Sequence, residues 1–98
     1  MRLTAVALVG WALPTTPMRI HVRLFALLKD RAGTDHLELN LPDKSTIAHA
    51  VEQVRHRFPT LADNLNHIAF ALNRSYTQSN TPLQDGDELA LIPPVSGG

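Results

Sequence analysis

The sequence predicts an α+β fold, a mixed sheet of four to five strands packed on one main helix. Three observations carry this. Several short segments alternate apolar and polar residues with the period of a half-buried strand. One longer segment repeats its apolar residues at helical spacing, and proline or glycine marks most of the junctions.

The first strand spans residues 19–25, with Ile20, Val22 and Leu24 on one face and Arg19, His21 and Arg23 on the other. Residues 26–32 carry Leu27, Leu28 and the charged run Lys29-Asp30-Arg31, then stop at Gly33, which reads as a short helical turn closed by glycine. Residues 36–41 alternate again through Leu37, Leu39 and Leu41, so this strand pairs antiparallel with the first. Pro42-Asp43 ends it, and Ser45 or Thr46 can cap the helix that follows. There Ile47, Val51, Val54 and Phe58 form one apolar stripe, His49, Glu52, Gln53, Arg55 and His56 face water, and Pro59 is the stop. Residues 61–65 read as a turn of helix or a loop. A third strand spans 67–73 with Ile68, Phe70 and Leu72 toward the core, and residues 74–80 hold a short edge segment. Asp85-Gly86-Asp87 is a turn, residues 88–92 make the last strand with Leu89 and Leu91 inward, and Pro93-Pro94 stops it. The helix stripe and the apolar face of the sheet bury each other in two layers.

Composition narrows the function. A chain of 98 residues is one domain with a modest core; folding at this size removes only about 60–65% of the unfolded surface. Nine Lys and Arg against nine Asp and Glu are spread along the chain, leaving no basic stripe for nucleic acid. No stretch approaches the roughly 20 apolar residues that span a bilayer. With no cysteine there is no disulfide, thiolate metal site or cysteine nucleophile. A complete enzyme with a deep pocket does not fit a chain this short.

Residues 1–17 stand apart from the domain at 18–94. Arg2 and the apolar run 3–13 imitate a secretory signal, but a single Arg argues against one. Met18 opens a well-formed strand, so this segment reads as an added tail or a mis-called start, the other reading being a segment that packs on its own domain or a neighbour. Residues 95–98 read as a flexible tail.

The ending Leu83-Gln84-Asp85-Gly86-Asp87-Glu88, Leu89-Ala90-Leu91-Ile92, Pro93-Pro94-Val95-Ser96-Gly97-Gly98 resembles that of the ubiquitin-like β-grasp sulfur carriers, the small subunits of molybdopterin synthase most of all. Phe25-Ala26-Leu27-Leu28-Lys29 and Ala71-Leu72-Asn73 fit the same family, and the likeness runs from Met18 to Gly98. The resemblance implies a cytoplasmic cycle in which a partner similar to the ubiquitin-activating enzymes adenylates Gly98 with ATP. A sulfur donor then converts it to a thiocarboxylate. The large synthase subunit, in a heterotetramer with the small one, uses that sulfur to build the molybdopterin dithiolene. The carrier itself would bind no cofactor or metal and would be non-catalytic alone. Carriers for thiamine, cysteine or tRNA thiolation, ubiquitin-like modifiers joined to lysines, and a plain binding module are the alternatives.

The chemistry explains such a tail. A carboxylate is a poor electrophile until adenylation supplies a leaving group, and the resulting thiocarboxylate is a soft, ionised nucleophile, as a cysteine thiolate is elsewhere. Gly97 and Gly98 let backbone enter a narrow channel that admits no side chains, and Pro93-Pro94 stiffens the root. Phe25, Ala90, Ile92, Pro93, Pro94, Val95, Ser96 and Gly97 are the candidate partner-binding residues, and Gly98 the reacting one. The sheet face away from the helix is expected to collect His21, Arg23, Phe25, Ala69, Ala71, Ala90 and Ile92, small and apolar toward the tail, which suits docking. Glu52 and His56 at i, i+4 with His49 nearby fall short of a metal set, Ser96 has no base beside it, and Asp85 and Asp87 are explained by their turn.

Overall fold

A computed structural model of the protein describes residues 17–94. Strand β1, Met18–Leu24, buries every second side chain, and Phe25 then leads into helix α1, Ala26–Ala32. Gly33 closes α1 in the left-handed region at φ 78°, its N–H donating to the Lys29 carbonyl at 3.0 Å. Strand β2, His36–Leu41, pairs antiparallel with β1.

Helix α2, Ile47–Arg57, buries Ile47, Ala50, Val51 and Val54, and Phe58 lies half-buried just beyond its end. Thr46, not Ser45, is its cap. The Thr46 N–H donates to Nδ1 of His49 at 2.9 Å, while the buried Ser45 hydroxyl donates to the Pro42 carbonyl at 2.7 Å. Two first-turn N–H groups that lack intrahelical acceptors are taken up by the chain on its way to the last strand: Ile47 donates to the Thr81 carbonyl and Ala48 to that of Ser79. The segment 61–65 resolves into helix, part of a 3₁₀ stretch over Pro59–Leu65 that buries Leu61 and Leu65.

Strands β3, Ala69–Leu72, and β4, Ser75–Thr77, form a hairpin. β3 is shorter than its sequence pattern predicts at both ends: His67 and Ile68 precede it outside the strand, and Asn73 and Arg74 both take positive φ, 51° and 72°, the two-residue turn whose twist matches that of the flanking strands. The last strand is β5, Glu88–Ile92.

The sheet order is β2-β1-β5-β3-β4, with β1 and β5 parallel and the other pairs antiparallel. The last strand in sequence is therefore the middle strand in space. Leu89 and Leu91 align with Val22 and Leu24 on one side and with Leu72 and Phe70 on the other, so one face is a continuous apolar layer under α1 and α2. Burying a Leu in such a layer contributes about 1.5–3 kcal/mol.

The turn before β5 is pinned from both sides. The Arg19 N–H donates to Asp85 Oδ1 and the Gln84 N–H to Asp87 Oδ2, both at 2.8 Å. Asn73 donates from Nδ2 to Asp87 Oδ1 and accepts the Glu88 N–H at Oδ1, both at 3.0 Å. Gly86 stands at φ 88°, where an L side chain is strained. These bonds fix where β5 begins, and so where it releases the chain.

Candidate functional site

Because β1 and β5 run parallel, the end of β5 lies beside the end of β1. Ile92 and the half-buried Pro93 leave the middle of the sheet next to Phe25 and the start of α1. Phe25, Ala26, Leu27, Asp63, Asn64, His67, Ile92, Pro93 and Pro94 line a groove of about 720 Å³ there. Four of the sequence-selected residues, Phe25, Ile92, Pro93 and Pro94, thus share one concave surface. Ala90 is half-buried on the adjoining sheet face, and Val95, Ser96, Gly97 and Gly98 lie outside the described residues.

Phe25 and Leu27 are each 41% exposed, a large apolar surface for so small a domain. A backbone device puts them there. Ala26 takes φ 52°, a left-handed conformation that costs a non-glycine residue about 1–2 kcal/mol. The sharp change of direction buries Leu28 and leaves Phe25 and Leu27 flanking the groove. The Arg23 guanidinium lies 5.7 Å from the centroid of the Phe25 ring. At an exposed site that contact stabilises by about 0.5–1 kcal/mol.

Beyond the groove the open face is divided. Toward β3 and β5 lie Ala69, Ala71, Ala90 and Ile92, with Ala71 opposite Tyr76 of β4, which is 76% exposed. Toward β2 lie charges: Arg19 and His21 approach Glu38 at 3.8 and 3.6 Å, and Arg23 meets Glu88 at 3.3 Å. One expectation needs correction. Ala71 faces this side but is only 8% exposed, because in register it sits between Ala90 and Tyr76 with no side-chain reach of its own.

The sequence pattern missed Leu27, Asp63, Asn64 and His67. Leu27 was readable, since α1 is too short to bury both of its leucines. Asp63 and Asn64 sit on a 3₁₀ stretch of seven residues, too short for a repeating pattern to show its faces, and His67 stands in a bend rather than in the strand expected to hold it. The Asn64 Oδ1 is buried without a hydrogen-bond partner among the described residues.

On the opposite side of the molecule the helix histidines are engaged differently from the pairing considered for them. His49 belongs to the helix cap, and Glu52, which lines one shallow surface with His49 and His56, accepts from Nη1 of Arg55 at 2.6 Å. Among the described residues no group of three or more His, Cys, Asp or Glu is placed to hold a metal ion, and no helix is long and apolar enough to cross a membrane.

A five-stranded mixed sheet packed on one main helix, with the last strand in its middle, defines a ubiquitin-like β-grasp domain. The chain belongs to the ThiS family, whose pattern matches residues 22–98. It is 37% identical over 84 residues to the molybdopterin synthase sulfur carrier subunit of Arabidopsis thaliana, which covers 86% of this chain and 88% of that one. A solved complex of subunits 1 and 2 of the molybdopterin-converting factor from Helicobacter pylori contains a chain 30% identical to this one. The likeness covers 83% of this chain and 100% of that chain, with a TM-score of 0.58. The small archaeal modifier protein 1 of Haloferax volcanii is 26% identical, covering 80% and 99% of the two chains, with a TM-score of 0.75.

Proposed function

We propose that this chain is a sulfur carrier that delivers sulfur, as a thiocarboxylate on Gly98, for the dithiolene of molybdopterin. The observation that carries the reading is the release of the middle strand, through Pro93-Pro94, beside an exposed apolar groove four residues before the terminal carboxylate. The groove and the apolar half of the open face hold the domain on a partner while the tail enters that partner's active site. Ordering the tail costs about 1–2 kcal/mol per residue in backbone entropy, which docking must offset.

The cycle has two steps on this chain. A Gly98 carboxylate oxygen attacks the α-phosphate of ATP on an activating partner, releasing pyrophosphate and leaving an acyl-adenylate. Sulfide-level sulfur released by a donor on the partner then attacks the acyl carbon, displaces AMP and loses its proton, leaving the thiocarboxylate. In a cytoplasmic heterotetramer with the large synthase subunit, the thiocarboxylate sulfur attacks the pterin precursor, and water hydrolyses the resulting thioester, leaving the sulfur on the product and returning the carboxylate. Phe25, Ala90, Ile92, Pro93, Pro94, Val95, Ser96 and Gly97 make the docking surface and the lead into the channel.

The experiment is intact mass spectrometry of protein purified from its own host. Replacing one terminal oxygen by sulfur adds about 16 Da, and the species should vanish when Gly98 is deleted. A chain that a matching activating enzyme and ATP never adenylate would sink the proposal. The likeness to a small archaeal modifier favours a second reading, transfer of the activated carboxyl to lysines. That reading predicts high-molecular-weight conjugates lost on deleting Gly98.

A further inference from the structure

We propose that Arg23 and Arg74 together receive a carboxylate from the protein that docks over the apolar half of the open face. This rests on that face being the docking surface of a sulfur carrier. The registers place Arg23 opposite Ala90 and Ala90 opposite Ala71, so Arg23 stands where the apolar half meets the charged half. Arg74 reaches the same border from the β3–β4 turn and is 90% exposed.

Charge balance selects the ligand. Arg23 Nη1 lies 3.3 Å from Glu88 Oε2, and Arg74 Nε lies 4.0 Å from Glu88 Oε1. Two guanidinium groups share the one Glu88 carboxylate, so their charges are not matched one to one and most of their N–H donors are left unused. The other acids nearby are already engaged: Glu38 faces Arg19 and His21, Asp35 contacts the His36 ring at 2.8 Å, and Asp87 accepts from Asn73 Nδ2 and from the Gln84 N–H. Covering the apolar half strips water from the border, and an unmatched cation there is unfavourable unless an anion arrives with the partner. A guanidinium carries several N–H donors in a planar fork and takes a carboxylate in two parallel bonds. Glu88 need not be abandoned, because each guanidinium has further N–H donors beyond the one that faces Glu88. The contact of Arg23 with the Phe25 ring makes the charge and the apolar anchor one unit. Asp63, on the far wall of the groove, has the opposite sign, so a partner carboxylate is drawn to one border and repelled from the other. The docking orientation follows from that difference.

The test measures binding of the intact chain to the large molybdopterin synthase subunit of the same organism by calorimetry, at low and high salt. Arg23→Gln should weaken binding roughly tenfold at low salt, Arg23→Glu more, and Arg74→Gln a few-fold, with all three differences shrinking as salt rises. Thermal melts check that each exposed-site variant is folded. If Arg23→Glu binds with wild-type affinity and salt dependence while Phe25→Ala binds weakly, the carboxylate receptor is wrong and the docking face stands. A loss in Arg23→Gln that salt does not alter overturns it too, since it points to packing of the side-chain stem. If Phe25→Ala and Arg23→Glu both bind like wild type, the docking face fails and the receptor with it.

Discussion

On the helix side of the sheet, Ile20, Val22, Leu24, Leu39, Leu41, Leu89 and Leu91 are all shut away from water, and each touches its neighbours across strands. On the other side the same strands present Arg19, His21, Arg23, Ala69, Ala90 and Ile92, partly or largely exposed. The first face holds the domain together. The second contributes little to stability and is free to be shaped for a partner. Small alanines on β3 and β5 show the consequence. They are poor core residues, but they let another surface approach the backbone closely. The difference between the faces teaches that sheet stability and docking are separable here, and substitutions can test that separation.

The largest effect is expected from Leu89→Ala. Leu89 is fully buried on the middle strand, flanked in register by Val22 and Leu72. Removing it should cost about 2–5 kcal/mol by lost transfer energy and a residual cavity. In a domain this small that is a large share of the whole, so urea denaturation should show a much lower midpoint, or a chain unfolded without denaturant. A loss below about 1 kcal/mol would mean that the core is not organised around β5.

Phe25→Ala is the converse. At 41% exposure the ring has less to lose on the stability axis, so unfolding should change by about 1 kcal/mol or less. Affinity for the large synthase subunit should fall by about 2 kcal/mol, roughly 30-fold, as for a buried aromatic anchor. A variant that loses stability and keeps its affinity would reverse the roles assigned to the two faces. Ala26→Gly probes the turn that exposes this ring. Glycine relieves the left-handed strain but enlarges the unfolded ensemble, so the net change should lie between about 0 and +1 kcal/mol of stability. Weaker docking in the same variant would show that the strained alanine holds Phe25 and Leu27 in position.

Much of this was legible in the sequence, and the limits have physical reasons. Alternation of Ile20, Val22 and Leu24 and of Leu37, Leu39 and Leu41 defines two strands because each has one buried face. The stripe of α2 and the Asp85-Gly86-Asp87 turn were readable for the same kind of reason, a period and a backbone demand. The edge segment that became β4 was readable, but its tight turn was not, because that turn is Asn73-Arg74 and arginine gives no sign that it will accept φ 72°. The groove was only half legible. Phe25, Ile92, Pro93 and Pro94 follow from the strand ends, whereas Asp63, Asn64 and His67 arrive from a 3₁₀ segment and a bend that fix no face in sequence. The parallel pairing of β1 with β5, which puts the tail root beside Phe25, is a property of topology rather than of any local pattern.

The smallest expected effect lies at the charged end of the open side, and it sharpens the claim that exposed polar contacts there do little for folding. The Asp35 carboxyl sits below the ordinary 3.8, held there first by its hydrogen bond with the His36 ring and next, against a small opposing cost of desolvation, by the charges of His36 and Lys29. A carboxyl lowered on folding contributes stability above its unfolded value and loses it as pH falls through its folded value. Any contribution of Asp35 is therefore present at neutral pH and disappears below about pH 4. Asp35→Asn should leave the unfolding midpoint at pH 7 nearly unchanged and slightly flatten its decline in acid, with the carboxyl titration followed by NMR in the parent chain. Its backbone carbonyl still accepts from the Leu24 N–H at 2.8 Å, so the end of β1 stays anchored whatever the side chain does. A substantial loss at neutral pH would show that this end of the sheet depends on its surface charges, and the division of labour between the two faces would have to be redrawn.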